Sequence, residues 1–169
     1  IRYAHLAIHH TTESLHQFEP RHRINAWMTM AEAYSALDLH TEAIHYSRKA
    51  LNASLHQLED THPDVYTYKF NLLAYSKRAF GLTQAIVDEL TTLVSDLEAQ
   101  YTTFSPEAFT MHCTLAKWLF EAKRYQEAIA EVDLCITASE SQSETTVPRL
   151  DSLYKLRNMA TSQLAELYN

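Results

Sequence analysis

The chain has 169 residues, of which 46% are hydrophobic and 11% are aromatic, so it can bury one extended core within one or two domains. One glycine and four prolines leave few positions for tight β-turns, which favours an all-helical fold. A net charge of −7 argues against a nucleic-acid-binding surface, and no apolar run approaches the ~20 residues of a membrane span, so neither nucleic acid nor membrane is an expected partner.

The most regular pattern lies in residues 24–57, where two amphipathic helices are predicted on either side of a turn at residues 37–40. The side chains that share a face of the first helix are Trp27, Met30, Ala31 and Tyr34, and those that share a face of the second are Ala43, Ser47 and Ala50. The large side chains fill the space between the helices, and the alanines allow the backbones to approach closely. The pattern predicts an antiparallel helical hairpin.

The same hairpin is predicted to recur along the chain. The four prolines are Pro20, Pro63, Pro106 and Pro148, which lie 43, 43 and 42 residues apart. Proline is favoured at the first position of a helix, where its missing N–H is not needed. Alanine–isoleucine pairs at residues 43–44, 85–86 and 128–129 follow a similar rhythm and are expected early in each second helix. Two independent series with one period predict a solenoid of stacked hairpins.

Eight helices are predicted from these marks. They span residues 1–19, 21–37, 40–59, 63–80, 82–101, 105–122, 125–141 and 148–168. Gly81 is expected to end a helix in the left-handed conformation, and Thr61, Ser105 and Thr146 lie close to positions where N-caps are expected. Residues 139–146 are polar and weakly patterned, which predicts a loop.

The spacing W-x2-M-A-x2-Y, followed by A-x3-S, resembles the tetratricopeptide (TPR) repeat. The period is longer than the about 34 residues of the standard repeat and is similar to that of kinesin light chains and of TPR-containing bacterial regulators. Residues 24–57 and 109–141 carry the resemblance, whereas Leu73 and Ser76 depart from it in the second repeat. The resemblance implies an all-α, right-handed α-α superhelix of about eight antiparallel helices. We expect residues 1–169 to form a single repeat domain that is a fragment of a longer protein.

In TPR arrays the first helix of each pair lines a concave groove, so the resemblance also implies a binding surface. Carried onto this chain, the groove positions include Asn25, Met28, Glu32, Phe70, Asn71, Lys77, Arg78, Lys117, Phe120 and Lys155. The same positions place Thr110, Cys113 and Ser152 in the groove. Met28, Phe70 and Phe120 would be apolar anchors, and the asparagine side chains could pair with a peptide backbone.

The groove positions contain a series of cations within an otherwise acidic chain. Lys77, Arg78, Lys117 and Lys155 would form a basic ridge that suits the carboxylates of a peptide, either its C-terminus or its acidic side chains. The simpler interpretation is that these are ordinary surface cations on solvated helix faces. The predicted function is therefore non-enzymatic binding of a protein or peptide.

Two other functions stay open at this stage. The chain could be the effector-sensing regulatory domain of a larger bacterial transcription or signalling regulator, since solenoids flex between neighbouring repeats. Alternatively, the terminal helices could mediate homo-oligomerisation, because the end of a solenoid needs a cap.

Neither catalysis nor a cofactor is predicted, because the chain lacks a nucleophile elbow, a glycine-rich phosphate loop and a metalloprotease signature. His5 and His9 are i, i+4 neighbours on one helix face, but no cysteine or carboxylate accompanies them at a zinc-ligand spacing, so no metal site is predicted. The other histidines are expected on turns and exposed faces. Cys113 and Cys135 are interpreted as small buried side chains in a reducing compartment, which predicts a cytoplasmic location.

Overall fold

The computed structural model describes residues 19–101, 105–141 and 147–168, and these ranges contain seven α-helices and no strand. The helices are α1 (Pro20–Ala36), α2 (His40–Leu55), α3 (Pro63–Phe80), α4 (Gln84–Gln100), α5 (Pro106–Glu121), α6 (Tyr125–Ser141) and α7 (Val147–Glu166). The predicted helix at residues 1–19 lies outside the described residues, except for Glu19. No helix in the described ranges combines the length and the apolar character needed to cross a bilayer.

The helix starts follow from the prolines, as predicted. Pro20, Pro63 and Pro106 are the first residues of α1, α3 and α5, and Pro148 is the second residue of α7.

Side chains complete the N-termini of three of the described helices. Thr83, which was not predicted as a cap, accepts the backbone N–H of Ile86 at 3.3 Å at the start of α4. Ala108 donates its backbone N–H to the hydroxyl of Ser105 at 3.1 Å, as expected for an N-cap.

The N-cap of α3 differs from the prediction. His62 occupies the cap position of α3 in place of Thr61, and its Nδ1 accepts the backbone N–H of Asp64 at 3.2 Å. Thr146, the remaining predicted cap, lies outside the described residues.

Three of the described helices are followed, within two residues, by a residue with positive φ. Gly81 has φ 81° at the end of α3, so φ is positive as predicted, but its ψ of 175° lies outside the left-handed helical region. Glycine adopts this conformation at no steric cost. Asp38 and Lys123 have φ 59° and 63° in the turns after α1 and α5. In both turns the backbone N–H of the next residue donates a hydrogen bond to a carbonyl of the preceding helix. Leu39 donates to Tyr34 at 2.9 Å, and Arg124 donates to Leu119 at 2.8 Å. The first and third hairpins therefore share one turn geometry.

Helix α2 is four residues shorter than the predicted span of 40–59. The hydroxyl of Ser54 donates to the carbonyl of Leu51 at 2.8 Å, and the carbonyl of Ser54 accepts the N–H groups of Gln57 and Leu58 at 2.9 and 2.8 Å. These bonds close a turn after Leu55, so the helix ends there.

The chain divides into two compact units, Ile1–Gly81 and Leu82–Asn169. In the first unit, α1 packs on α2 and α2 packs on α3. In the second unit, successive helices from α4 to α7 pack on one another, and α5 also contacts α7. The expectation of one domain over residues 1–169 stays a prediction.

The core of the first unit is built largely from the predicted hairpin face. The buried cluster consists of Met30, Ala31, Tyr34, Ala43, Ile44 and Tyr75. Trp27 is only partly buried at the edge of this cluster, although the repeat pattern predicts a fully packed indole. Tyr75 adds a side chain from α3 to this cluster.

The core of the second unit joins three helices. Its buried cluster consists of Ala116, Val132, Cys135, Ile136 and Leu153, from α5, α6 and α7. Ala128, near the start of α6, is also fully buried, as Ala43 is near the start of α2. Ala85 is exposed, and the buried side chains at the start of α4 are Ile86 and Val87. The alanine–isoleucine pair of the second repeat therefore lies early in α4, as predicted, but its alanine does not pack in the core as Ala43 and Ala128 do.

This difference predicts a contrast between two identical substitutions. Ala128→Leu adds three carbon atoms to a fully buried position and should lower the free energy of unfolding by about 1–3 kcal/mol. Ala85→Leu adds the same atoms at an exposed position and should change it by less than ~0.5 kcal/mol. Urea titration followed by circular dichroism measures both variants. Equal losses would contradict the burial pattern.

Candidate functional site

A shallow pocket of about 140 Å³ lies between α5 and α7, within the second unit. Its lining residues are Phe109, Thr110, Cys113, Thr114, Lys117, Ser152 and Leu153. These two helices are the first helices of successive predicted pairs. The predicted groove positions on these two helices can therefore be compared with the lining of one pocket.

Helical periodicity explains why four of these side chains line one pocket. Thr110, Cys113, Thr114 and Lys117 are spaced by three or four residues and lie on one face of α5. Ser152 and Leu153 complete the pocket from α7. Phe109 supplies apolar surface, Leu153 is buried at the edge of the pocket, and Lys117 supplies an exposed ammonium group.

The pocket hydroxyls of α5 are restricted to one hydrogen-bonding role. Thr110 Oγ1 donates to the carbonyl of Pro106 at 2.9 Å, and Thr114 Oγ1 donates to the carbonyl of Thr110 at 2.8 Å. Each hydroxyl proton is used in the helix, so the oxygens remain as acceptors. A molecule in this pocket would therefore find a cation at Lys117, acceptors at the threonines and apolar surface beside them.

The other predicted site residues of the second unit lie outside this pocket lining. Phe120 is partly buried, with its ring 5.5 Å from the ring of Tyr125. Lys155 is exposed on α7, one turn beyond Ser152. Of the cations in the predicted basic ridge, Lys117 is therefore the one that lines this pocket, beside the hydroxyl groups of Thr110 and Thr114.

In the first unit, Met28 does not lie on an open surface. It is 7% exposed and packs in a buried cluster with Ile24 and Ala50, at the interface of α1 and α2. A side chain in the core offers little surface to a ligand, so this burial counts against the predicted role of Met28 as an apolar anchor. Phe70 is also only partly exposed.

The first unit places Arg78 against α1. Its guanidinium Nη1 donates to the hydroxyl of Ser35 at 2.6 Å and its Cζ lies 6.0 Å from the ring centroid of Tyr75. Burial raises the pKa of Tyr75, and the negative charge of Glu32 adds to the shift. Arg78 and Ser35 are 43 residues apart, one repeat period, so the first helices of these two pairs meet here.

The remaining predicted residues of the first unit vary in exposure. Asn25 and Glu32 are exposed, whereas Asn71 and Lys77 are partly buried. Asn25 lines a cleft of about 260 Å³ with the following residues: Arg21, Ile24, Gln57, Leu58, His62, Asp64 and Tyr68. Burial, followed by the charge of Asp64, raises the pKa of Tyr68 in this cleft.

One polar cluster was missed by the sequence analysis, which placed the histidines on turns and exposed faces. His112 on α5 is 1% exposed, and its Nδ1 lies 2.7 Å from Glu131 Oε2 on α6. Its Nε2 lies 3.4 Å from Glu98 Oε1 on α4. A signal was available, because His112 follows Ala108 and precedes Leu115 on the buried face of α5.

Comparisons with known proteins identify the fold. The structure matches the Q17M form of a kinesin light chain-like protein of Podosopora anserina, which has nearly identical TPR-like repeats. The TM-score is 0.74 and the sequence identity is 17%, and the match covers 88% of this chain and 71% of that one. A second crystal structure of the Podosopora anserina protein gives a TM-score of 0.68 and 18% identity over 98% and 83% of the two chains.

A bacterial structure has the same fold. BtubC (BKLC) from P. vanneervenii matches with a TM-score of 0.75 and 11% identity, over 87% of this chain and 58% of BtubC. The chain thus spans less than two thirds of BtubC. No protein-family model matches the sequence. No curated protein matches it either. The described helices therefore have an all-α architecture of stacked hairpins, and these likenesses establish that fold alone.

Proposed function

We propose, from the TPR-like repeat fold, that the chain is a non-catalytic interaction module that binds a carboxylate-bearing peptide segment of a partner protein at the pocket between α5 and α7. Folds of this class generally mediate protein–protein interaction and generally serve as scaffolds without catalysis. The observation that supports this site is the placement of Lys117 beside hydroxyl acceptors and apolar side chains in one pocket.

Each part of the pocket matches a part of a peptide. A C-terminal carboxylate, or an aspartate or glutamate side chain, would accept a hydrogen bond from the ammonium of Lys117. Backbone N–H groups of the peptide would donate to the hydroxyl oxygens of Thr110 and Thr114. An apolar side chain of the peptide would contact Phe109, which is partly exposed, and this contact removes apolar surface from water.

The size of the pocket favours a peptide over a small effector. Pockets that bury a small molecule typically hold about 300–1,000 Å³. The pocket between α5 and α7 holds about 140 Å³ and the cleft of the first unit about 260 Å³. A peptide needs only a shallow pocket for one side chain, while the rest of it lies across the surface. Effector sensing by a larger regulator is therefore the less favoured proposal.

The proposal predicts how charge reversal affects peptide binding. Two libraries of random dodecapeptides, one with free and one with amidated C-termini, are passed over the immobilised chain, and retained peptides are identified by mass spectrometry and labelled with fluorescein. Lys117→Glu should weaken binding of a retained peptide about tenfold, which equals ~1.4 kcal/mol, because it replaces the attracting charge with a repelling one. Fluorescence anisotropy measures the dissociation constants.

The control is Arg48→Glu, which makes the same charge change at an exposed position on α2. It should change affinity less than about twofold, since only long-range screened charge effects act there. Binding by the wild-type chain should also weaken as sodium chloride rises from 50 to 300 mM. Equal affinities of the Lys117→Glu variant and the wild type, or retention of amidated and neutral peptides alone, would contradict the proposal.

A further inference from the structure

The two cysteines of the chain are in direct contact. Cys113 on α5 and Cys135 on α6 have their Sγ atoms 3.2 Å apart and are not joined by a disulfide bond. From the sequence, each is interpreted as a separate small buried side chain. In the structure, the two residues are 22 positions apart in the chain and meet between the two helices of one hairpin. Because the chain contains two cysteines in all, this pair accounts for its entire thiol content.

The two thiols differ in access to solvent. Cys113 is partly exposed and lines the pocket between α5 and α7. Cys135 is completely buried beside Ala116 and Val132. The hydrogen bond with Cys113, together with burial, raises the pKa of the Cys135 thiol. A reagent that enters the pocket therefore meets Cys113 first.

We propose that Cys113 and Cys135 form a thiol–disulfide exchange site, which accepts a small anionic disulfide such as oxidised glutathione through the pocket between α5 and α7. Lys117, one helical turn from Cys113 on the same face, supplies positive charge at the pocket. This charge attracts the carboxylates of oxidised glutathione to the pocket, where the Cys113 thiolate is the attacking form. The exchange needs no bound peptide, although it uses the same pocket and a bound peptide would compete with the disulfide for it.

The exchange proceeds in two balanced steps. The Cys113 thiolate attacks one sulfur of oxidised glutathione, forms a mixed disulfide and expels one glutathione thiolate. Cys135 then loses its proton and attacks the Cys113 sulfur, which forms the Cys113–Cys135 bond and expels the second glutathione thiolate. The two expelled thiolates take up the two protons that the protein loses. The protein thiols are oxidised by two electrons, and the glutathione disulfide is reduced.

The geometry favours the second step over a lasting mixed disulfide. A disulfide bond is about 2.05 Å long, so the sulfur atoms must approach by roughly 1.2 Å from their present separation. Cys135 is already in contact with the sulfur it would attack, so the step is intramolecular and does not depend on protein concentration.

Intact-mass spectrometry tests the proposal directly. The wild-type chain is incubated with oxidised glutathione, unfolded without reductant and treated with N-ethylmaleimide. We expect the reduced chain to take up two maleimide groups and the oxidised chain to take up none, with the mass of the monomer lowered by two hydrogens. Dithiothreitol should restore both sites. Two surviving thiols, a lasting glutathione adduct or a disulfide-linked dimer would each overturn the proposal.

Single serine variants test the order of the steps. Cys135→Ser should retain one glutathione on Cys113, because no second thiol can displace it. Cys113→Ser should react at least about tenfold more slowly, since its remaining thiol is buried. Circular dichroism checks that both variants are folded, and the wild-type result stands without them. Equal reaction rates of the two variants would overturn the assignment of Cys113 as the attacking residue.

Discussion

Trp118→Ala is expected to lower the free energy of unfolding by about 3–5 kcal/mol, because it removes a large aromatic side chain that is 5% exposed on α5. This loss of free energy has two parts: the favourable transfer of the indole from water into the core is lost, and its removal leaves a cavity. Urea titration measures the change. Circular dichroism is the appropriate signal, since the substitution itself alters tryptophan fluorescence.

Trp27→Ala is the matched control, because it deletes the other tryptophan of the chain. Trp27 is only partly buried, so its deletion should cost about 1–3 kcal/mol, less than the deletion of Trp118. The TPR pattern alone predicts the opposite order, because it assigns the packing role to Trp27. A larger loss for Trp27→Ala would support the motif and contradict the burial of these two residues.

His112→Leu should cost about 2–4 kcal/mol, although it nearly preserves the volume of the side chain. The substitution leaves the carboxylate of Glu131, 2.7 Å from His112 Nδ1, facing an apolar group. Glu98, at 3.4 Å from Nε2, is about half exposed and should contribute little, so Glu98→Gln should cost less than ~0.5 kcal/mol. Urea titration measures both variants.

A double-mutant cycle separates this interaction from the effects of packing. Glu131→Leu removes the other partner, and the double variant His112→Leu/Glu131→Leu places two apolar side chains in contact. The double variant should be more stable than the sum of the two single losses predicts, because neither partner is left unpaired. Strict additivity, or a His112→Leu variant as stable as the wild type, would show that the contact contributes nothing.

The helices could be predicted from the sequence because their signals are local. Pro20, Pro63 and Pro106 lack the backbone N–H that an interior helix position needs, so each marks the start of a helix. Gly81 ends a helix where a positive φ is required. Buried alanines at positions 31, 43 and 128 reflect close helix contact, which the spacing of small residues indicates. The comparisons confirm that the resulting fold is TPR-like.

The candidate site could be predicted less well, because it depends on how helices pack rather than on where they lie. Met28 falls at a groove position by counting, yet it packs between α1 and α2. Ala85 continues the spacing of the alanine series. However, α4 begins at Gln84, directly before Ala85, whereas α2 begins at His40, further ahead of Ala43. Ile86 and Val87 therefore face the core in α4, in place of Ala85. The contacts of His112 with two carboxylates and of Cys113 with Cys135 involve different helices, and no local pattern encodes such pairs.

The most direct test of peptide binding at the pocket is a titration of the ¹⁵N-labelled chain with a retained dodecapeptide, followed by amide chemical shifts. We predict saturable shifts centred on Thr110, Cys113, Lys117 and Ser152, with much smaller shifts in the Lys117→Glu variant. Shifts confined to α4 and α6, or shifts of equal size in both chains, would contradict the assignment of the pocket between α5 and α7 as the binding site.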